Sequence, residues 1–291
     1  EAPAGQLAEM DRCGIDRAVL LPSFSTYLVH DDEIDAARSR AYAQAYNRWL
    51  RDFCASAPDR LRGAALVSLH DPQTLVADLE EALRQGFRAV AVRPNPILGR
   101  TLSAPVYAPF FAACAAASVP VLIHEGAHAR VATAGADRFQ THFGQHACSH
   151  PLEAMMALLS LIEGGVLEAN PTLRVGILEA GCGWLPYWLW RLDEVEHSRL
   201  GLEVGARVRR RPSEYFRAQC WLAVEPDEPL VDRVAQETAP GRLLFGTDFP
   251  HLEHGVDIVA ELFAQRDKLG DEALRAMLWD SPCALLGIPS R

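Results

Sequence analysis

Three common motifs are absent from the chain: a Cys-x-x-Cys pair, a Gly-x-Gly-x-x-Gly loop after an apolar strand, and a His-x-His pair. The missing glycine motif removes the best sequence evidence for a dinucleotide-binding sheet. The seven cysteines are odd in number, widely spaced and mostly set in apolar stretches, which is typical of buried free thiols. We therefore expect a protein of a reducing compartment, the cytoplasm.

Long apolar runs and a basic surface are also lacking. The longest apolar stretch, 107–123, is interrupted by Pro109 and Pro120, which argues against a membrane span. The 28 basic residues are outnumbered by 38 acidic ones, which gives a formal net charge of −10 and argues against nucleic acid as the main partner. We expect the partner to be a small-molecule substrate, and we allow for a homodimer.

The chain does contain a repeated alternation of short apolar strands and helical segments. Strands rich in Val, Leu and Ile are typical of parallel sheets buried on both faces. We predict strands at 18–22, 64–69, 89–92, 121–124, 174–178, 220–224 and 243–245. Helices are predicted at 34–57, 72–85, 105–117, 151–169, 184–198, 229–237 and from 256 onward. Because no low-complexity linker interrupts the alternation, residues 1–291 are predicted to form a single domain.

Polar or charged side chains lie at the ends of several predicted strands. They are Arg93, His124, Glu179, Glu225 and Asp248. Alternating strands and helices form either an open doubly wound sheet or an eight-stranded barrel, and only a barrel gathers all strand ends around one axis. We therefore predict an α/β fold of the TIM-like (β/α)₈ barrel type. Since seven units are visible and 5–13 is typical of another helix, we expect the first strand–helix unit to lie before residue 1.

Six segments, in order along the chain, resemble those of a known family. They are 7–19, 93–96, 121–124, 164–168, 179–186 and 246–251. On these segments the chain resembles the amidohydrolase superfamily, in the branch that includes aminocarboxymuconate-semialdehyde decarboxylase and aromatic-acid decarboxylases. The resemblance implies a (β/α)₈ barrel and a mononuclear metal-dependent enzyme, either a lyase or a hydrolase.

Two features depart from the pattern of that family. Relatives carry a metal-binding His-x-His pair on the first strand, which we expect upstream of residue 1. Many relatives also carry a histidine, which holds substrate or moves a proton, at the position of Glu179. A carboxylate keeps acid–base capacity but changes charge and reach, which leaves decarboxylation and hydrolysis as alternatives.

The resemblance implies that His124 and Asp248 bind a divalent metal, Zn²⁺, with Mn²⁺ as the alternative. Imidazole and carboxylate groups at strand ends suit such ions. Asp248 would also accept a proton during catalysis. The competing interpretations are a buried histidine bonded to a backbone carbonyl and an aspartate that caps the following helix.

Histidines crowd the segment after the strand at 121–124. They are His128, His142, His146 and His150. The last three are spaced by four residues, which on one helix forms a metal-ligand face. Pro151 disfavours helical conformation at His150, however, and Gly144 interrupts the run. We therefore predict an active-site loop with the next helix starting at Pro151, and we keep a separate metal site as the alternative.

The remaining site residues are assigned to proton transfer and to substrate contact. Glu179 and His150 join Asp248 as the predicted catalytic residues. Arg93, His128, Trp184 and His251 are the predicted substrate contacts. For Arg93 the choice is between a bidentate clamp on a substrate carboxylate and an ion pair with a neighbouring acid. For Trp184 the alternative is packing of its own helix.

Together these residues predict metal-dependent, decarboxylase-like chemistry on a small carboxylated aromatic or unsaturated substrate. One alternative is a metal-dependent hydrolase of an amide, ester or lactone. A second alternative, from a different class, is a catalytically silent relative that binds a small molecule.

Overall fold

Parallel pairing between short strands organises the fold, which a computed structural model describes for residues 2–125, 133–250 and 257–290. The strands are β1 Ala18–Leu20, β2 Leu61–Gly63, β3 Ala65–Leu66, β4 Val90–Val92, β5 Val121–His124, β6 Val175–Leu178, β7 Cys220–Val224 and β8 Leu243–Phe245. β1 pairs with β2, and a six-stranded sheet runs in the order β3-β4-β5-β6-β7-β8. Each of the seven predicted strand regions contains an observed strand, whereas β2 lies just before the second region and was not predicted.

The two sheets meet at Ala64, between β2 and β3. The Ala64 N–H donates to the Leu20 carbonyl at 2.9 Å, and the Ala65 N–H donates to the Ala89 carbonyl at 2.9 Å. The chain therefore changes its hydrogen-bonding partner from β1 to β4 within two residues. As a result, all the strands form one series of parallel neighbours, and their carboxyl ends lie along one edge.

The two faces of the sheet are covered differently. One face packs against the helices in the large core, whereas the other carries a small cluster of its own side chains. The members of this inner cluster include Ala64, Ala91, Leu122, Trp221 and Leu244. Its helical contribution is Leu285, which packs so closely on Gly176 that a Cβ there would lie 3.0 Å from the Leu285 Cδ2. A sheet whose inner face packs mainly on itself is curled, as the predicted (β/α)₈ barrel requires.

Helices connect the strands as predicted, with two additions. The α-helices are α1 Pro3–Cys13, α2 Phe24–Val29, α3 Ala36–Cys54, α4 Leu75–Arg84, α5 Ala108–Ala116, α6 His142–Glu163, α7 Val166–Ala169, α8 Leu185–Trp190, α9 Ser198–Leu200, α10 Pro212–Gln219, α11 Val231–Arg233, α12 Ile258–Ala264, α13 Arg266–Arg275 and α14 Ser281–Leu286. No helix was predicted at α2 or α10. Among the described residues, no helix combines the length and the apolar character needed to cross a membrane.

The start of α6 corrects the predicted loop at 142–150. The helix begins at His142, where the Thr141 hydroxyl caps it by accepting from the Gly144 N–H at 3.2 Å. Pro151 lies inside the helix, although an internal proline lacks an N–H and costs on the order of 3 kcal/mol. A buried apolar face that includes Leu158 and Leu161 offsets this cost, because each is fully enclosed by the core.

Candidate active site

His124 ends β5 and points into the mouth of the barrel. It lies two residues after Leu122, a member of the inner cluster, so its side chain points to the same face of the sheet. The His124 side chain is 7% exposed. Its Nε2 lies 2.7 Å from the Oε2 of Glu179. This nitrogen therefore faces a site carboxylate at close contact, and the backbone-carbonyl interpretation does not describe the imidazole.

Glu179 follows β6 directly and meets His124 because the two strands are neighbours in register. His124 pairs with Leu178 in the β5–β6 ladder, so the next residue on β6 lies beside the imidazole. Glu179 has a φ of 53°, in the left-handed region that non-glycine residues rarely adopt. Such backbone strain persists where surrounding structure holds a side chain in a required position, and it is concentrated at functional sites.

Asp248 lies three residues beyond β8, at the same edge of the barrel. Because β5 through β8 are all parallel, their carboxyl ends bring His124, Glu179 and Asp248 to one side of the molecule. Asp248 also has a left-handed φ, 49°, and is half-buried. Among the described residues the next helix is α12, whose N-cap is Asp257, so Asp248 does not cap it.

His150 lies on α6 rather than in a loop, and it contacts the same strand end. Its Nδ1–H donates to the backbone carbonyl of Glu179 at 2.9 Å. The imidazole therefore sits beside the His124–Glu179 pair. The predicted substrate contacts His128 and His251 lie outside the described residues.

Arg93 is completely buried, and two of its three guanidinium nitrogens contact protein groups. Its Nε and Nη2 donate to the Oδ1 of Asn95 at 3.0 and 2.7 Å, and Nη2 lies 3.1 Å from the Oε1 of Glu125. Glu125 is 2% exposed. This is the ion-pair alternative, because the Nε and Nη2 edge of the guanidinium is already bonded, although the buried Nη1 has no hydrogen-bond partner among the described residues.

A second buried carboxylate joins this network from α6. Glu153 accepts from the Ala134 N–H at 2.6 Å and contacts the Thr133 hydroxyl, which in turn lies 3.3 Å from the Nδ2 of Asn95. Burial, and secondarily the charge of Glu125, raise the pKa of the Glu153 carboxyl. The network joins the ends of β4 and β5 to α6, just behind His124.

Trp184 packs at the start of its own helix, which is the alternative to substrate contact. Its indole Nε1–H donates to the Ala180 carbonyl at 2.9 Å, and its ring packs against the edge of the large core. The indole N–H is therefore already bonded to the turn that precedes α8. This bond anchors the start of the helix, and the N–H is not directed at a substrate.

The family of the chain follows from comparison of its whole length. The model of the family described as amidohydrolase matches residues 1–288. The chain belongs to the amidohydrolase family. The predicted resemblance and barrel are therefore confirmed, since the matched region contains every strand and every candidate site residue.

Individual relatives of this amidohydrolase are named as decarboxylases. The gamma-resorcylate decarboxylase of Rhodococcus jostii is 26% identical over 298 residues, covering 91% of this chain and 84% of that protein. The crystal structure of an amidohydrolase from Mycobacterium avium subsp. paratuberculosis has a TM-score of 0.82 and 26% identity, covering 99% of this chain and 74% of that one.

A third comparison shows the same fold around a metal. The structure of 5-carboxyvanillate decarboxylase from Novosphingobium aromaticivorans, complexed with manganese and 4-hydroxy-3-methoxy-5-nitrobenzoic acid, has a TM-score of 0.79. It is 22% identical in sequence and covers 98% of this chain and 80% of that chain. At this identity the likeness establishes the shared fold.

The donor groups at the mouth of this amidohydrolase fit a divalent metal. His124 Nε2 and Glu179 Oε2 lie close together, and the buried Nδ1 of His124 has no hydrogen-bond partner within the described ranges. Asp248 adds a carboxylate from the same edge, which gives the mixed nitrogen and oxygen donors that Zn²⁺ or Mn²⁺ accepts. In the part of the chain that the structure describes, however, no group of three or more His, Cys, Asp or Glu side chains is arranged as a metal site.

Sequence reasoning missed Glu125, Asn95 and Glu153 as members of the site region. A signal for the first two was available, because Asn95 follows Arg93 closely and Glu125 follows His124 directly. A buried arginine requires a buried acceptor, and Asn95 is the polar residue nearest to Arg93 in the sequence. No local signal distinguished Glu153 from an exposed glutamate on α6, since only the packing of that helix buries it.

His30, at the end of α2, is a second buried histidine that sequence reasoning missed. Its Nε2–H donates to the Val67 carbonyl at 3.1 Å, and the side chain is fully enclosed. Burial, aided by the nearby positive charge of Arg93, lowers the pKa of His30 to about 3. The imidazole is therefore neutral in the folded protein at neutral pH.

The lowered pKa of His30 predicts a loss of stability in mild acid. An unfolded histidine takes up a proton near pH 6.5, whereas folded His30 does so only near pH 3, so its contribution is present above pH 6.5 and is lost as pH falls. Between pH 7 and pH 5 the loss amounts to about 2 kcal/mol. The variant His30→Gln should lose correspondingly less stability over this interval in urea unfolding experiments, whereas His197→Gln, at a half-buried histidine, should lose as much as the wild type.

Proposed function

We propose that this amidohydrolase is a metal-dependent decarboxylase of small carboxylated aromatic acids. The observation that carries the proposal is the His124–Glu179 pair, 2.7 Å apart at the same barrel edge as Asp248. The decarboxylases among its relatives support a carboxylated aromatic substrate. The alternative substrate for the same decarboxylation is a carboxylated unsaturated acid.

The reaction requires a proton at the ring carbon that carries the carboxylate. When that carbon is protonated, the electrons of the C–C bond return to the ring as CO₂ leaves. Glu179 and Asp248 are carboxyl groups that can hold and deliver this proton, and His150 lies one hydrogen bond from the backbone of Glu179. The left-handed backbone at both carboxylates fixes their direction toward the mouth.

A metal would be held by His124 and Asp248, with Zn²⁺ as the first candidate and Mn²⁺ as the second. When bound, such an ion supplies Lewis-acid polarisation of a substrate oxygen. His124 and Asp248 would hold the ion, Glu179 and His150 would hold protons, and Asp248 would take part in both tasks. Arg93 and Glu125 keep the end of β5 in place from behind.

Measurement of products from the wild-type protein tests this proposal. Incubation with hydroxybenzoic acids that carry a carboxyl group beside a hydroxyl should release one CO₂ per molecule of phenol formed, in the presence of Zn²⁺ or Mn²⁺. If the same panel gives no CO₂, whereas amides, esters or lactones are cleaved to acids, the hydrolase alternative is correct. In that case Glu179 would be the base that activates water beside His124.

Replacement of Glu179 tests its assignment to proton transfer. Glu179→Gln preserves size and hydrogen bonding but cannot take up or release a proton, so kcat should fall on the order of 10²-fold. The Michaelis constant should change much less. Glu168→Gln is a matched control. Glu168 is a half-buried carboxylate on α7, ahead of β6 in the chain, and it accepts a hydrogen bond from the Tyr215 hydroxyl. Equal kcat values for the two variants would show that Glu179 moves no proton.

A further inference from the structure

Three histidines form a row along one face of α6. Because residues four apart lie on adjacent turns, His142, His146 and His150 are stacked in space. The ring centres of His142 and His146 are 5.3 Å apart with planes 14° from parallel, and those of His146 and His150 are 4.9 Å apart at 46°. His142 is exposed, and the other two are half-buried.

The two neighbouring pairs differ in their ability to share a metal ion. Two imidazoles bound at about 2.1 Å, at right angles or slightly wider, have ring centres about 4.5 to 5.2 Å apart. The His146–His150 distance of 4.9 Å lies inside this window, and its tilted planes allow both rings to direct a nitrogen at one point. The nearly parallel rings of His142 and His146 are stacked face to face instead.

A separate observation concerns the orientation of His150. Its Nδ1–H donates to the Glu179 carbonyl at 2.9 Å, which fixes the tautomer and leaves the lone pair on Nε2. A metal-binding histidine almost always donates its other ring N–H to a carboxylate or a backbone carbonyl in this manner. The hydrogen bond therefore leaves Nε2 of His150 as the atom that either holds a proton or binds an ion.

We propose that His146 and His150 form a second metal site, which binds a divalent transition ion such as Ni²⁺, Cu²⁺ or Zn²⁺ through two imidazoles and water. The three histidines do not converge on one point, so the site has two protein ligands, consistent with the absence of any three-residue metal group in the described ranges. His142 stacks on the outer side of His146 and supports its ring. Nitrogen ligands favour Ni²⁺ and Cu²⁺ over Mn²⁺, which separates this site from one rich in oxygen donors.

Titration of the metal-free protein with Ni²⁺ tests the proposal by calorimetry. Wild-type protein should show a binding event that His146→Gln weakens at least about tenfold, since even loss of a group that only orients a ligand costs 10- to 100-fold. His142→Gln should weaken it much less, because His142 stacks without binding. Ni²⁺ bound at His124 and Asp248 would remain in both variants, so the two sites are distinguished. Identical isotherms for wild type and His146→Gln would overturn the proposal.

A second measurement needs no variant and no enzymatic activity. In wild-type protein labelled with ¹⁵N-histidine, Zn²⁺ in excess of the one ion expected at His124 and Asp248 should shift the Nε2 resonances of His146 and His150. The resonances of His197, which lies elsewhere and bonds the Val208 carbonyl, should stay in place. A shift of only one of His146 and His150 would contradict a shared ion. For the calorimetric experiment, a circular dichroism spectrum of His146→Gln checks that any loss of Ni²⁺ binding is measured on a folded protein.

Discussion

Asp248→Asn should lower kcat on the order of 10²-fold or more while the protein remains folded. Asparagine keeps the size of the side chain and most of its hydrogen-bonding geometry, but it removes the charge and the basic oxygen. Positioned acid–base catalysis alone is typically worth this factor. Asparagine is also among the residues that best tolerate the left-handed backbone at this position, where φ is 49°, so the substitution adds little strain.

Three measurements separate the roles of Asp248. Turnover on a confirmed substrate gives the catalytic loss, metal analysis shows whether the ion is also lost, and circular dichroism melts report the fold. Asp257→Asn is a control of the same chemistry at an exposed helix cap and should retain full turnover. A folded Asp248→Asn protein with wild-type turnover would refute the catalytic assignment.

Arg93→Met should destabilise the protein by about 3 to 5 kcal/mol, the usual cost of removing one partner of a buried ion pair. The guanidinium is fully buried, and its removal leaves the Glu125 carboxylate, 2% exposed, without the arginine that compensates its charge. Asn95 would also lose the two hydrogen bonds that its side-chain oxygen accepts from Arg93. Urea unfolding should show this as a lower midpoint.

The double variant Arg93→Met, Glu125→Gln identifies the cause of that loss. If an uncompensated charge is responsible, neutralising Glu125 should restore a substantial part of the stability. Arg84→Met is the surface control: its ion pair with Glu81 is mostly exposed, and its loss should cost less than about 1 kcal/mol. A similar cost for the Arg93 and Arg84 variants would contradict the burial argument.

The positions of the strands were determined by the sequence. Parallel strands buried on both faces require continuous runs of Val, Leu and Ile, and such runs are visible without any alignment. β5 and β8 were predicted at the residues where the structure has them. The polar residues that end these runs could be predicted as site residues for the same reason, because an ionisable group next to a buried strand needs a partner or a function.

The bounds of α6 were not determined by local sequence. Pro151 and Gly144 both favour an end to the helix, and local preference therefore predicted a loop over the three histidines. The helix nevertheless continues from His142, because its apolar side packs against the barrel and tertiary contacts outweigh the cost of one internal proline.

The partners of the site residues were decided by tertiary structure alone. His124 and Glu179 are 55 positions apart in sequence, and they meet because β5 and β6 are neighbours with His124 in register with Leu178. Arg93 reaches Glu125 across β4 and β5 in the same way, which turned a candidate substrate clamp into an internal ion pair. Composition and motifs identified the candidate residues. Which of them are in contact was decided by the pairing of parallel strands, which cannot be read from their separation along the sequence.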